Sequence, residues 1–134
     1  MHGMRDTVTI WNKVIENGKT VYYRRIVSGC YWRAEVIRSV SGSTVSLGTT
    51  WRLMIEMQDG YKSHSEWLKM ADKSAFFTLN VGDIVAKGEH TEEMTAANAT
   101  AVYTKLKPDI FTVKTVIDST NPWKYGQHIA VEGV

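Results

Sequence analysis

The sequence predicts a mainly β domain: a small barrel or sandwich of about seven or eight strands with one α-helix over Thr91–Leu106. Three observations carry this expectation. Asn17-Gly18 lies between two β-rich runs, the strongest short-range hairpin signal, because a type I′ turn needs positive φ at both central residues. Thr50–Met57 alternates Trp51, Leu53, Ile55 and Met57 with Thr50, Arg52, Met54 and Glu56, the period of a half-buried strand. Short apolar runs recur between turn signals along the rest of the chain, as they do in small all-β domains.

Taken in order, Asp6–Ile15 is the first predicted strand. Val8, Ile10 and Asn12 fall on one face and Thr7, Thr9 and Trp11 on the other. Thr20–Val27 returns as the second strand. Ser28-Gly29 breaks the chain, and Cys30–Val36 is the third. Ser39–Gly48 is rich in Ser and Gly and reads as a flexible loop or a long hairpin tip. After the Thr50–Met57 strand, Gln58–Ser65 is turn-like, and Glu66–Met70 fits one helical turn or an extended piece equally well. Phe76–Leu79 has strand composition, Asn80-Val81-Gly82-Asp83 is a turn, and Ile84-Val85-Ala86 resumes the strand.

Thr91 can cap the predicted helix, Glu92 and Glu93 suit its positive N-terminal end, and Pro108 stops it. Met94, Ala97, Ala101, Val102 and Leu106 would form its apolar stripe. Ile110–Ile117 is a strand with Phe111, Val113 and Thr115 on one face. Asp118–Gly126 is a loop, and Gln127–Val134 is the last strand.

All 134 residues fit one domain. Residues 1–5 are expected to be disordered or, at Met1-His2-Gly3, a vector remnant. The 43% hydrophobic and 22% charged shares are ordinary globular values. A net charge of +2, with no basic tail, does not mark a nucleic-acid or membrane binder. Cys30 is the single cysteine, so no intramolecular disulfide can form; this fits reducing, intracellular synthesis. Neither a membrane helix nor a secretory signal core is expected.

Chemistry is sparse. His2, His64, His90 and His128 fall in no metal-binding frame, so no metal is expected. No nucleophile elbow, paired-carboxylate frame or phosphate-cradling glycine pattern is present; neither enzyme activity nor a cofactor is expected. Cys30, between Gly29 and Tyr31, reads as a buried small hydrophobe. Tyr22-Tyr23-Arg24-Arg25, Tyr31-Trp32-Arg33 and Trp51-Arg52 interleave aromatics with arginine, as single-strand nucleic-acid binders do on OB-like barrels. The competing reading puts the aromatics in the core and the arginines in water. Exposed aromatics beside adaptable loops would instead serve a protein interface, and Ser41, Gly42, Ser43 and Thr44 with Trp123, Lys124 and Tyr125 are the expected contact residues.

Three blocks carry a resemblance: DTVTIWN (Asp6–Asn12) before a hairpin, FFTLNVGDIVAKGE (Phe76–Glu89), and FTVKTVIDSTNPW with HIAVEG (Phe111–Gly133). Together they resemble a family of small structural proteins of tailed phages and prophages of Gram-positive bacteria, at the head–tail joint. The resemblance implies a virion component of stopper or head-completion type. It would form a homo-oligomeric ring against portal, adaptor and tail proteins, with channel DNA passing nearby, and could still be monomeric when isolated. A tail-terminator role and an OB-like nucleic-acid module are the alternatives. The resemblance brings no catalytic residue. In such a role Ser39–Gly48, a stretch without charge and with little bulk, is expected to project from the barrel, into the channel or against a neighbouring subunit.

Overall fold

A computed structural model describes residues 5–56, 58–119 and 128–133. Six antiparallel strands close into a barrel: β1 (Asp6–Glu16), β2 (Lys19–Ser41), β3 (Thr44–Glu56), β4 (Ile84–Lys87), β5 (Ile110–Ser119) and β6 (His128–Gly133). Around the barrel the order is β1-β2-β3-β6-β5-β4, and β4 returns to β1. Two short helices lie outside it, α1 (His64–Leu68) and α2 (Ala99–Leu106).

The first hairpin forms as its turn chemistry predicts. Asn17 and Gly18 have φ of 53° and 75°, and Glu16 pairs with Lys19. Ser28-Gly29, however, does not end a strand. Between Val27 and Cys30, β2 advances three residues while β1 advances two, from Val8 to Asp6. Gly29 absorbs this bulge at a φ of 76°. The two expected strands are therefore one bent strand of 23 residues, which first pairs with β1 and then continues along β3.

The second correction concerns Phe76–Leu79. This segment is extended but makes only one bridge, Phe77 to Tyr61. Phe77, Thr78 and Leu79 are nonetheless buried, because the segment fills the barrel instead of joining its wall. These two changes bring seven or eight expected strands down to six.

The main core runs through the barrel. Val8, Ile10, Leu53, Ile55, Phe111, Val113, Ile129 and Val131 point inward, and Trp32 packs on Phe111 with ring centroids 5.3 Å apart. A second cluster on the outside of β1 and β4 joins Trp11, Ile84, Ala86 and Ile110 to Met94 and Val102. Thr7 and Thr9 thus share their strand face with a Trp11 that is wholly buried.

The helix in that second cluster starts eight residues later than expected. Thr91–Asn98 is held in non-helical form by tertiary contacts. The Trp11 indole Nε1–H donates to the Glu92 carbonyl at 3.0 Å, and Thr95 bridges to Val21. The Asn98 side chain accepts from Thr95 N and donates to the Glu93 carbonyl. Ala97 and Ala101 are exposed; Ala99, Val102, Tyr103 and Leu106 form the packed face.

On β5 the register shifts between Val113 and Thr115. This bulge hands the inner face to Val116, which packs against the core in place of the expected Thr115. Of the two readings for Glu66–Met70, the helical turn is correct: α1 is capped by Ser63 and buries Trp67.

Candidate functional site: an unpaired β arm

Beyond the barrel wall, β2 and β3 continue together as a two-stranded arm. Seven pairs, from Glu35↔Thr50 to Ser41↔Thr44, form this ribbon, about 20 Å long at roughly 3.4 Å per residue. Gly42 and Ser43 make the two-residue turn, with Gly42 at a φ of 61°. Ser39–Gly48 is therefore a hairpin tip, the second of its two expected forms. Ser41, Gly42, Ser43 and Thr44 meet at its end, where Gly42 and Ser43 are exposed. Trp123, Lys124 and Tyr125 lie outside the described residues.

Both edges of the arm lack a strand partner among the described residues. β1 stops pairing at Asp6↔Cys30, and β6 at Gly133↔Trp51. Asp6 marks the first limit chemically, because its carboxylate accepts from the Trp32 backbone N–H at 2.9 Å. By strand alternation, the N–H and C=O groups of Ala34, Val36, Arg38 and Val40 face that same open side. On the opposite edge, Val45, Leu47 and Thr49 continue the parity of Trp51 and Leu53.

The same parity sets the faces. Trp32, Leu53 and Ile55 belong to the inner face of the barrel. By register, the pairs Ala34↔Trp51, Val36↔Thr49, Arg38↔Leu47 and Val40↔Val45 keep the parity of Trp32↔Leu53 along the arm. A two-stranded hairpin is marginally stable in water; three or more strands with an apolar face are not. The arm thus presents two backbone edges that have no strand partner among the described residues.

The other predicted groups are engaged elsewhere. Arg24 pairs with Glu93 at 2.8 Å, and Arg52 pairs with Glu132. Arg25 donates to the Ala75 carbonyl and lies over the Phe77 ring. Tyr23 donates its hydroxyl to Glu16, Trp32 is in the core, and Trp51 packs against it. Of the interleaved arginines, only the exposed Arg33 is not held by such contacts among the described residues.

Cys30 is fully buried, and burial pushes its thiol up to about 12, so it stays protonated. Among the described residues, no group of three or more His, Cys, Asp or Glu is placed to hold a metal ion. Nor is any helix there long and apolar enough to cross a membrane. A shallow groove of about 320 Å³ beside α2 is lined by Ile84, Ala99, Tyr103, Lys107 and Thr112, with the Lys107 ammonium over the Tyr103 ring at 5.6 Å.

The sequence did not reveal one polar site, which sits in the core. Asp83 is 1% exposed and accepts from Asn12 Nδ2, Lys13 N and Asn80 N, each at 2.9 Å. Asn12 also grips both backbone groups of Thr78. Desolvation pushes the Asp83 carboxyl up to about 6 against these hydrogen bonds. The only signal for it was a polar Asn at an inward strand position. Every partner of Asp83 is a donor from its own surroundings, so the group ties β1 to the turn before β4.

A model of a family of unknown function, DUF6751, matches residues 4–134. No curated protein and no solved structure matches the chain.

Proposed function

The chain belongs to the DUF6751 family, and we propose that it is a virion structural protein. In this reading it is a head-to-tail connector of stopper or head-completion type that joins portal or adaptor to tail and helps close the DNA channel. The observation that carries the proposal is the arm. A closed barrel supplies a rigid body, and the β2–β3 ribbon extends from it with two edges that have no strand partner among the described residues. A subunit that must hold its neighbours in fixed positions needs this division between a stiff core and an outreaching contact element. The Asp6–Asn12, Phe76–Glu89 and Phe111–Gly133 blocks add the resemblance to head–tail joining proteins.

The protein acts here without catalysis and without a cofactor. Its place is the assembled particle, as a homo-oligomeric ring around a channel through which DNA passes without sequence readout. The OB-like nucleic-acid reading is weakened by the engagement of Arg24, Arg25 and Arg52 with partners inside the chain.

Deleting Ser41–Thr44 from the gene in its phage tests the proposal. The expected result is heads that lose DNA or fail to join tails, with normal capsid assembly before that step. Normal particle yield and normal DNA retention would overturn it.

A further inference from the structure

We propose that Phe76–Asn80 is a proton-gated plug: it stays seated in the barrel while the Asp83 carboxyl is protonated, and opens locally, with the six-strand wall still closed, when that carboxyl ionises. The segment is held so that it can move as a unit. It is slung between two fixed points, the Arg25 guanidinium on the Ala75 carbonyl and the Gly82 N–H on the Val113 carbonyl. Between them its strand pairing is the single bridge from Phe77 to Tyr61, whereas the wall strands pair along continuous ladders. The Phe77 backbone bonds to Gly60 and Lys62. Thr78 is held at both its backbone groups by one side chain, Asn12, which also donates to Asp83 Oδ2.

The seated state carries unmet polar groups. Thr78 Oγ1 and His64 Nδ1 are buried without a hydrogen-bond partner among the described residues. This disfavours the seated segment relative to one open to water. Asp83 is 1% exposed and takes part in no ion pair among the described residues. Lys13 of β1 offers it a backbone N–H and the charge of an exposed side chain. Tyr22 of β2 also faces it: burial first, and the Asp83 charge second, push that phenol up. His64 of α1 reaches it through Asn80, whose Nδ2 lies 3.2 Å from His64 Nε2 and whose N–H donates to Asp83 Oδ2. β5 meets the Asp83 backbone with the Val113 N–H. A carboxylate placed in this way gains water only when the segment lifts, so ionisation and opening are coupled.

Native-state amide hydrogen exchange of the full-length protein in low urea, from pH 4 to pH 7, tests this once rates are corrected for intrinsic exchange. The Phe77, Thr78 and Asn80 amides should share one opening with a weaker urea dependence than that of the β1–β2 and β2–β3 ladders. The Asp83 carboxyl lies at about 6 in the seated state, against an ordinary 3.8. The opening constant should therefore rise about 50-fold from pH 4 to pH 7, most steeply between about 4 and 6, and level off above. Asp83→Asn should make the opening independent of pH, and His64→Gln should keep the rise.

The proposal is overturned if the three amides exchange only together with the ladders, or if their separate opening does not change with pH. It is equally overturned if the rise survives Asp83→Asn or is lost in His64→Gln. If Asp83→Asn does not fold, the wild-type series and His64→Gln decide.

Discussion

Asn12 Nδ2 lies 2.9 Å from Asp83 Oδ2, and the contact joins the middle of the first strand to the turn that launches the fourth, 71 residues later. Both side chains are buried. Among the buried polar residues Thr9, Asn12, Thr78 and Asp83, this pair fixes which residues of β1 face the Phe76–Asp83 segment. Asn12 uses its amide N–H groups on Thr78 O and Asp83, and its carbonyl on Thr78 N. Asn12→Ala would leave both Thr78 backbone groups without this partner and take one of three donors from the Asp83 carboxylate. A loss of about 3 kcal/mol is expected in urea unfolding.

Asp83 also makes a pH prediction. Its folded-state value of about 6 lies above the ordinary 3.8. The folded state therefore holds this proton more tightly than the unfolded chain does. This contribution to stability is full below about pH 4 and is lost as pH rises through about 6. The slope approaches 1.4 kcal/mol per pH unit in that window, stability falling as pH rises. Asp83→Asn should abolish this part of the pH dependence, measured as the difference between wild-type and variant denaturation midpoints at pH 4, 5, 6 and 7. Parallel curves for the two proteins would contradict the assignment.

Gly133 is a matter of space. It pairs with Trp51 and Val113 near the β3–β6–β5 junction, and a Cβ there would collide with the Thr112 carbonyl and the Phe111 ring. Neither is a flexible side-chain end. Gly133→Ala should cost about 1–3 kcal/mol, read as a lower thermal midpoint.

Trp11 anchors α2 and the segment before it. Its ring is wholly buried and its indole N–H holds the Glu92 carbonyl. Trp11→Phe keeps most of the packing and loses the hydrogen bond, for an expected cost of about 1–2 kcal/mol. Trp11→Ala should cost about 3–5 kcal/mol. Hydrogen exchange should rise in Thr91–Leu106 before it rises in the barrel.

Cys30 should be inert in the native protein. It is buried with its thiol protonated, so alkylation by iodoacetamide at neutral pH should proceed only at the rate of unfolding. Rapid labelling under native conditions would contradict its placement.

The parts of this fold that were legible in the sequence are those set by local chemistry. Asn17-Gly18 specifies its own turn, and the alternation through Trp51, Leu53 and Ile55 specifies its own strand. What the sequence hid depended on distant contacts. Phe76–Leu79 has the composition of a strand because both a barrel wall and a barrel filling want aromatics and β-branched residues. Gly29 and Lys114 sit at bulges, and a bulge changes strand count or side-chain parity with no distinctive residue pattern. Thr91–Asn98 carries helix-start residues but is captured by Trp11, Val21 and its own Asn98. The arm was half legible. Ser39–Gly48 could be read as a hairpin tip, but its open edges depend on where β1 and β6 end. The Asn12–Asp83 tie needed two positions 71 residues apart, which no local pattern connects.

Electron microscopy of purified phage particles, with symmetry imposed and released at the head–tail joint, tests the connector role most directly. The account predicts a ring of this chain between portal and tail. A joint fully occupied by other proteins, or particles that lack this chain, would contradict it.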